Sequence, residues 1–199
     1  MKAYIDKYTT ALNKVMEKLD PAQFEKIITI LVEAYKKDKQ VFIVGNGGSA
    51  GTANHFVCDF GKNAVPFTGL GPGKRRFRII SVSDNIEKIT ALANDIAFEE
   101  VFRQQLINLM NQEDVLILVS ASGNSPNLIR ACEYAKEKNS RIIVLAGFQG
   151  GKIKDFADAA MVVPLESYEQ IEDVHLIILH MIVYYFKNNP EILDSSGEL

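Results

Sequence analysis

The sequence predicts an α/β protein in which helices cover both faces of a mostly parallel sheet. Short apolar runs of strand length alternate with amphipathic segments of helical period along the chain. Two of these runs lead directly into small glycine- and serine-rich loops, and a helical pattern follows each loop. Strands that are separated by helices pair in parallel through right-handed crossovers, so we expect three layers and a doubly wound sheet.

Apolar and β-branched runs predict five strands, at residues 40–44, 77–82, 114–119, 141–146 and 159–163. Helical periodicity predicts helices between and after them, at residues 48–60, 85–92, 97–110, 125–138, 151–156 and 168–187. Two amphipathic helices precede the first strand, at residues 3–19 and 21–37. Asp20 and Pro21 supply the start signal of the second of them.

The composition is that of a globular protein with one core. The chain has 199 residues, of which 47% are hydrophobic and 24% charged. We expect a single domain over residues 1–188, which includes the helical pair at about 1–38, and a C-terminal tail at 189–199. The net charge of −3 argues against a nucleic-acid partner, which requires a basic stripe.

The sequence also indicates where the protein works. It shows neither a signal peptide nor an apolar run that could span a bilayer, so we expect a cytoplasmic protein with no membrane partner. Cys58 and Cys132 lack the spacing of metal ligands, and we expect two buried thiols rather than a disulfide.

The predicted C-terminal helix is apolar on nearly every side. A helix without a polar face must be buried, and one sheet layer rarely covers a helix all round. We therefore expect a second subunit to pack against it, and a homo-oligomer as the working form.

The two glycine- and serine-rich loops predict an anion site. They cover Gly45–Ala50 and Ser120–Ser125, and each joins a strand to a helix. Such a turn directs free backbone N–H groups and the helix dipole at one spot, and ligands of doubly wound sheets bind at this edge. In the second loop Ser120, Ser122 and Ser125 add three hydroxyls. The pattern favours a phosphorylated small molecule.

The first loop also fits the dinucleotide-binding pattern, with Gly45, Gly47 and Ala50 at the required spacing. That pattern needs an acidic residue at the end of the second strand, about 20 residues further on. Here the next predicted strand begins much later, and Asp84 after it is late for the role. We therefore expect no nucleotide cofactor.

Three blocks of sequence resemble a known family: Gly45–Ser49, Ser83-Asp84 together with Ala93-Asn94-Asp95, and Ser120–Ser125. Over almost its whole length the chain resembles the sugar-isomerase (SIS) domain, and more specifically the phosphoheptose (sedoheptulose-7-phosphate) isomerases. The resemblance implies a five-stranded parallel flavodoxin-like sheet and a homotetramer with active sites at subunit contacts. It also implies that the sugar phosphate is bound by Ser120, Ser122, Ser125 and the Ala121 amide, with Asn46, Gly47 and Ser49 nearby.

Four side chains on two helices form a second candidate site. His55 and Asp59 are four residues apart and share a helix face. Glu172 and His180 are eight apart on the C-terminal helix, roughly 80° apart around its axis. Each helix thus presents a carboxylate and an imidazole, which suit a divalent ion such as zinc or an acid–base pair. Core histidines and a local ion pair fit the same spacing.

The resemblance implies that these four positions carry the catalytic and zinc-binding groups. His55 and His180 match the family, whereas Asp59 replaces its glutamate and Glu172 its glutamine. The implied reaction converts sedoheptulose 7-phosphate into a D-glycero-heptose 7-phosphate through an enediol. Asp59 is the expected base and His180, buried and therefore neutral, its acid–base partner. The metal polarises the carbonyl.

Three further residues complete the candidates. Asp95 is expected in a loop, where it orients sugar hydroxyls or caps a helix that starts at Ile96. Glu169 contacts the sugar or only favours the dipole of the terminal helix. His175 points about 140° away from His180 and is expected to pack in the core. The two departures from the family leave an alternative open, a non-catalytic phosphosugar-binding or scaffold protein of the type that associates with the replication initiator.

Overall fold

The computed structural model of the protein describes residues 1–65 and 75–194. In this part the helices are α1 (Lys2–Met16), α2 (Pro21–Lys36), α3 (Gly48–Asn63), α4 (Ile86–Asp95), α5 (Val101–Leu109), α6 (Pro126–Glu137) and α7 (Tyr168–Asn188). The strands are β1 (Gln40–Gly45), β2 (Arg78–Ser81), β3 (Val115–Ser120), β4 (Arg141–Gly147) and β5 (Ala159–Val163). Short 3-10 helices cover Phe98–Glu100, Lys152–Phe156 and Pro190–Leu193.

The five strands form one parallel sheet in the order β2-β1-β3-β4-β5. This is the flavodoxin-like order, and it confirms the predicted fold class. The order reverses between β1 and β3, whose carboxyl ends are nearly level because Gly45 is the register partner of Val119. Ligands of such sheets bind at this reversal point.

Helices cover both faces of the sheet. On one face, α2, α3 and α7 pack on alternate strand residues such as Val41 and Ile43. On the other, α4, α5 and α6 pack on Phe42 and Val44. Both faces are buried, which explains why the strands are continuous apolar runs rather than alternating ones.

Several predicted boundaries differ from the structure. The predicted helix at 97–110 is a 3-10 turn followed by α5, because Ala97 has an extended backbone with φ −170°. The predicted helix at 151–156 is a 3-10 helix that follows two glycines of positive φ. Part of the predicted tail, Pro190–Leu193, is a 3-10 helix, and residues 195–199 lie outside the described residues.

Aromatic packing joins α3 to α7. The rings of Phe56 and Phe60 stack on α3 with centroids 4.9 Å apart, and Phe60 meets Phe186 of α7 edge-on at 5.5 Å. Phe77, which precedes β2, contacts both Phe60 and Phe186 at 4.4 and 5.2 Å. All four side chains are buried. Aromatic pairs of this geometry contribute beyond their buried area, so they fix how α3 lies on α7.

The two cysteines have different environments. Cys132 is fully buried, and burial raises the pKa of its thiol to about 12. Cys58 is exposed on α3, so the expectation of two buried thiols is wrong for this residue. Cys58 lies two residues from each of the buried aromatics Phe56 and Phe60, on the opposite side of α3, and therefore points outward.

Among the described residues no helix is both long and apolar enough to cross a membrane.

His175 is a core residue, as predicted. It is fully buried, and neither of its ring nitrogens has a hydrogen-bond partner among the described residues. Burial lowers the pKa of His175 to about 4, and outweighs a small opposing contribution from the Ala146 backbone. The folded protein therefore keeps this imidazole neutral well below the pH at which an exposed histidine takes up a proton.

We expect His175 to weaken the protein in acid. Between about pH 6.5 and 4 the unfolded chain protonates this residue and the folded chain does not, so the free energy of unfolding falls with pH by on the order of 3 kcal/mol. In His175→Leu this dependence is lost, because the variant has no group to titrate. Urea denaturation of both proteins from pH 7 to 4 measures it. If the free energy of unfolding fell equally with pH in both proteins, His175 would not be a buried neutral histidine, since the carboxylates contribute alike to both proteins.

Candidate active site

The two glycine- and serine-rich loops meet at the reversal point of the sheet. The side chains of Asn46 and Asn127 bond reciprocally, each Nδ2 donating to the Oδ1 of the other at 3.0 Å. Asn46 follows β1, and the fully buried Asn127 lies in the first turn of α6. The pair therefore ties the first loop to the helix that follows the second loop.

The first loop brings α3 against the end of β1. A Cβ on Gly45 would lie 2.6 Å from the Ser49 carbonyl oxygen, so only glycine fits there. Gly47 has φ 54° and begins α3 without a side-chain cap. Of the residues expected near the phosphate, Gly47 is exposed and Asn46 half-buried, whereas Ser49 is buried behind the loop.

The serine loop, Ser120–Ser125, presents hydroxyls to the same edge. Ser120 Oγ accepts a hydrogen bond from the Gly123 N–H at 3.1 Å, and Ser122 Oγ accepts one from the Asn124 N–H at 3.3 Å. Both hydroxyls keep their own protons for a ligand oxygen. Ser125 begins α6 without a side-chain cap bond, which leaves its hydroxyl available.

The chain after β4, residues 147–153, supports the serine loop from behind. The Gly147 N–H donates to the Ala121 carbonyl at 2.9 Å. Gly123 and Gly151 both have positive φ, 64° and 62°, and a Cβ on either would collide with the backbone of the opposite loop. Two backbones packed this closely hold the serine loop in one conformation.

A cavity of about 530 Å³ opens beside the asparagine pair. It is lined by Asn46 and Ser125, both predicted, and by five residues that we did not predict: Ala97, Phe98, Glu99, Pro126 and Asn127. Asn127 carried a usable signal, a polar residue two positions after Ser125 in the first turn of a helix. The sequence gives no comparable sign for Phe98, because α4 and the turn after it bring it there.

Three of the four predicted metal and acid–base residues come together between α3 and α7. His55 Nε2 lies 3.1 Å from Asp59 Oδ2 and 3.0 Å from His180 Nε2. His180 Nε2 lies 3.5 Å from Asp59 Oδ2. The side chains of His55 and His180 are 51% and 46% exposed, so the expectation that burial keeps His180 neutral is wrong.

The three atoms fit a divalent ion. Zinc lies about 2.0–2.2 Å from histidine nitrogens and carboxylate oxygens, so two donors on one ion are separated by roughly 3.0–3.6 Å. The three separations between His55, Asp59 and His180 fall in this interval. Three protein ligands that remain open to solvent leave room for a substrate oxygen, as catalytic sites require.

Glu172 lies apart from this trio. Its carboxyl group packs on Gly48, the first residue of α3, where an added Cβ would lie 2.8 Å from the carboxyl carbon. Eight residues of helix separate it from His180, about 12 Å along the axis of α7. The structure thus places this carboxylate beside the first loop rather than beside the imidazoles.

The two remaining carboxylates are exposed. Asp95 is the last residue of α4 and accepts a hydrogen bond from Asn94 Nδ2 at 2.8 Å. It is therefore neither in a loop nor an N-cap, because α4 ends at Asp95 and Ile96 is the C-cap residue of that helix. Glu169 accepts from the Ser167 hydroxyl at 2.6 Å, which lowers the pKa of Glu169. Its place in the first turn of α7 suits the helix dipole.

Comparison with known proteins identifies the family of this chain. Residues 3–147 match the family model of the SIS domain. The phosphoheptose isomerase of Helicobacter pylori strain P12 is 37% identical over 173 residues, which cover 86% of each chain. That of Citrifermentans bemidjiense is 33% identical over 183 residues, 92% of this chain and 91% of the relative.

Solved structures agree as well. The phosphoheptose isomerase of Neisseria gonorrhoeae superimposes with a TM-score of 0.82 at 26% identity, covering 94% of this chain and 96% of that one. A phosphoheptose isomerase from Francisella tularensis has the same fold, with a TM-score of 0.81 at 24% identity, covering 94% of this chain and 96% of that chain. The sequence and the fold agree with these relatives over most of the chain, and the chain therefore belongs to the phosphoheptose isomerases, a family of enzymes built on the SIS domain.

Proposed function

We propose that this sugar-phosphate isomerase converts sedoheptulose 7-phosphate into a D-glycero-heptose 7-phosphate through an enediol. The observation that carries the proposal is the trio of His55, Asp59 and His180 on the helix that starts at the first loop and the helix packed against it. His55 lies about 10 Å along α3 from Gly48. A seven-carbon sugar phosphate can span that distance from the phosphate-binding loops.

The serine loop supplies binding and orientation. The hydroxyls of Ser120, Ser122 and Ser125 and the Ala121 amide donate to phosphate oxygens, and Asn46 and Gly47 border the first atoms of the sugar. Hydrogen bonds to a charged group are stronger than neutral ones. Because the loop is already held by residues 147–153, little ordering is required when the phosphate binds.

Asp59 and His180 carry out the proton transfers. In the open-chain ketose, Asp59 removes a proton from the carbon beside the carbonyl, which leaves an enediol. The proton then returns to the former carbonyl carbon, while His180 moves a proton between the two oxygens. Asp59 lies four residues after His55 on α3, and its Oδ2 is within hydrogen-bond distance of His55. The Nζ of Lys62 lies 4.0 Å from the second carboxylate oxygen of Asp59, Oδ1.

His55, Asp59 and His180 would hold a divalent ion, for which we propose zinc. When bound, such an ion polarises the carbonyl and stabilises the negative charge of the enediolate. Glu172 and Asp95 are proposed to face the sugar rather than the metal, and Glu169 to contact it only at the edge of the site.

We propose a homotetramer that works in the cytoplasm, with active sites at subunit contacts. Support comes from an apolar cavity of about 590 Å³ that includes His180 and is bordered by Phe24, Met181 and Tyr184. Tyr184 is 70% exposed although it lies on the most apolar helix. A second copy of the chain that packs on this face would also shield the exposed part of His180 from solvent.

The isomerase proposal predicts metal-dependent turnover. We expect purified protein to convert sedoheptulose 7-phosphate, to lose activity on chelation and to recover it with zinc. In Asp59→Asn we expect turnover to fall at least a hundredfold, because the base and a ligand charge are lost. Glu25→Gln removes an exposed carboxylate of α2 and serves as the matched control. No turnover by a protein that still binds the phosphosugar would favour the non-catalytic alternative.

Ser125 tests the phosphate site without disturbing the loop. Its hydroxyl has no partner among the described residues, so Ser125→Ala leaves the folded loop intact. We expect the Kd for the phosphosugar to rise about tenfold or more, the cost of one hydrogen bond to a charged group. Ser125→Thr retains a hydroxyl and is expected to bind like the wild type. Calorimetric titration measures all three, and an unchanged Kd in the alanine variant would place the phosphate elsewhere.

Tyr184 tests the assembly. A charge buried in an apolar contact is costly, so we expect Tyr184→Glu to lower the assembly state seen by light scattering. Ile86→Glu changes an exposed apolar residue of α4, on the opposite side of the sheet, and is expected to leave the mass unchanged. If the wild type has the mass of one chain at micromolar concentration, the tetramer proposal fails.

A further inference from the structure

We propose that the edge strand β5 binds an extended acidic segment of another protein, which pairs with it as a sixth strand of the sheet. The inference is independent of the proposed function, because it involves no residue of the two loops or of the trio. Three observations carry it: an open strand edge, a groove that runs along this edge, and exposed lysines on both sides of the groove.

Strand β5 has one free edge. It is the last strand of the sheet and pairs only with β4 among the described residues. On its other edge, the Ala160 N–H donates to Gln23 Oε1 of α2 at 3.0 Å. The N–H groups of a strand point to its two edges alternately, so Val162 directs its N–H to the same side as Ala160. No described side chain accepts a hydrogen bond from Val162, and its backbone is available to a further strand.

Gln23 lies where the next strand would run. A side-chain amide carries the same kinds of donor and acceptor as a peptide group, so Gln23 imitates one peptide unit of a neighbouring strand. Its side chain is only half-buried and belongs to the first turn of α2. A peptide that takes the place of Gln23 exchanges one hydrogen bond to Ala160 for another of the same kind. It then gains further bonds at Val162.

A groove of about 510 Å³ gives such a peptide its space. It lies between the turn that joins α1 to α2 and the chain from Ala157 to Val162. These six residues span roughly 16 Å when the chain is extended, a length that suits a peptide strand better than a compact small molecule. The groove shares no lining residue with the cavity beside Asn46 or with the apolar cavity at His180.

The lysines around the groove favour an acidic partner. Lys18, Lys26 and Lys154 line it and are exposed, and none of their ammonium groups has a carboxylate partner among the described residues. Lys26 lies on α2, which covers one face of the sheet, whereas Lys154 follows Ile153, which is buried on the opposite face. A strand added at this edge therefore passes between positive charges on both of its faces.

The two carboxylates that line the groove do not cancel this charge. Asp158 pairs with Lys136 at 3.7 Å and with Arg141 at 3.3 Å, so its charge is already balanced. Asp20 caps α2 by accepting a hydrogen bond from the Ala22 N–H. The groove thus has an excess of positive charge on a chain whose net charge is −3. Acidic side chains are attracted to such a surface, and salt weakens the attraction.

The same charges argue against a second copy of this chain as the occupant. Two β5 edges that paired about a twofold axis would bring the lysines of one protomer next to those of the other, and opposed like charges are destabilising. Lysines beside an edge strand protect a protein from pairing with itself, and they attract a partner of opposite charge.

A short capped peptide of glutamate and valine tests the proposal, because valine favours the extended form and glutamate complements the lysines. We expect the fluorescently labelled peptide to bind the full chain in anisotropy titrations, and its counterpart with lysine in place of glutamate not to bind. In the double variant Lys26→Glu with Lys154→Glu we expect the Kd to rise at least tenfold. Lys88→Glu reverses an exposed charge on α4 and is the matched control, with an unchanged Kd.

Backbone methylation separates strand pairing from attraction between charges. Methylating every second peptide nitrogen leaves one edge of the peptide able to donate, so we expect binding to persist. Methylating all of them removes every backbone donor, and we expect binding to be lost. Gln23→Ala frees the Ala160 N–H and is expected to lower the Kd severalfold. Circular dichroism and thermal unfolding establish that each variant is folded.

Three outcomes would overturn the inference. The first is that the acidic peptide does not bind to the wild type. The second is that the unmethylated and the fully methylated peptides bind equally, which would leave only a charged surface. The third is that the double lysine variant loses mass in light scattering and the peptide does not bind, which would make this edge a contact between copies of the chain.

Discussion

The packing of α3 against α7 holds the candidate active site together. Phe56 and Phe60 point from α3 into the core, where Phe60 meets Phe186 of α7. The residues before them, His55 and Asp59, are turned about 100° around the same helix and reach the surface. The buried aromatic contact therefore sets the separation and rotation of two helices, and the distances among the three polar side chains follow from it. Chemistry at the surface depends here on packing in the interior.

The phosphate loops depend on a second constraint, the close approach of backbone to backbone. Gly123 and Gly151 adopt conformations that other residues rarely reach, and each faces a carbonyl of the opposite loop. These glycines lose their conformational entropy when the protein folds, before any ligand is present. A loop that is already ordered loses little entropy on binding, and donors fixed in this way favour the phosphate. The trio, by contrast, is formed by side chains that remain partly exposed and able to adjust.

The sequence predicted correctly those features that depend on a single strand or helix. Continuous apolar runs identified all five strands, because both faces of a parallel sheet are buried. The i, i+4 spacing correctly put His55 and Asp59 on one face. Spacing within a helix does not give the distance to another helix, so the position of Glu172 was not predictable: its carboxyl group packs on Gly48, which belongs to a different helix. The exposure of His180 was misjudged for a related reason, since an apolar helix need not be covered on every side by its own chain.

The asparagine pair at the reversal point has a consequence for how this edge of the protein can change. Asn46 and Asn127 each use one donor and one acceptor on the other, which leaves each amide one N–H and one carbonyl lone pair. Turning either amide over would set donor against donor and acceptor against acceptor, so the two orientations are locked to each other. Replacing one partner leaves a buried amide at Asn127 unsatisfied or Asn46 unanchored, whereas replacing both with a matched apolar pair removes the conflict. The effects of substitutions at Asn46 and Asn127 on the free energy of unfolding are therefore expected to be strongly non-additive. We expect a change at one of the two positions to be tolerated only when the other changes with it.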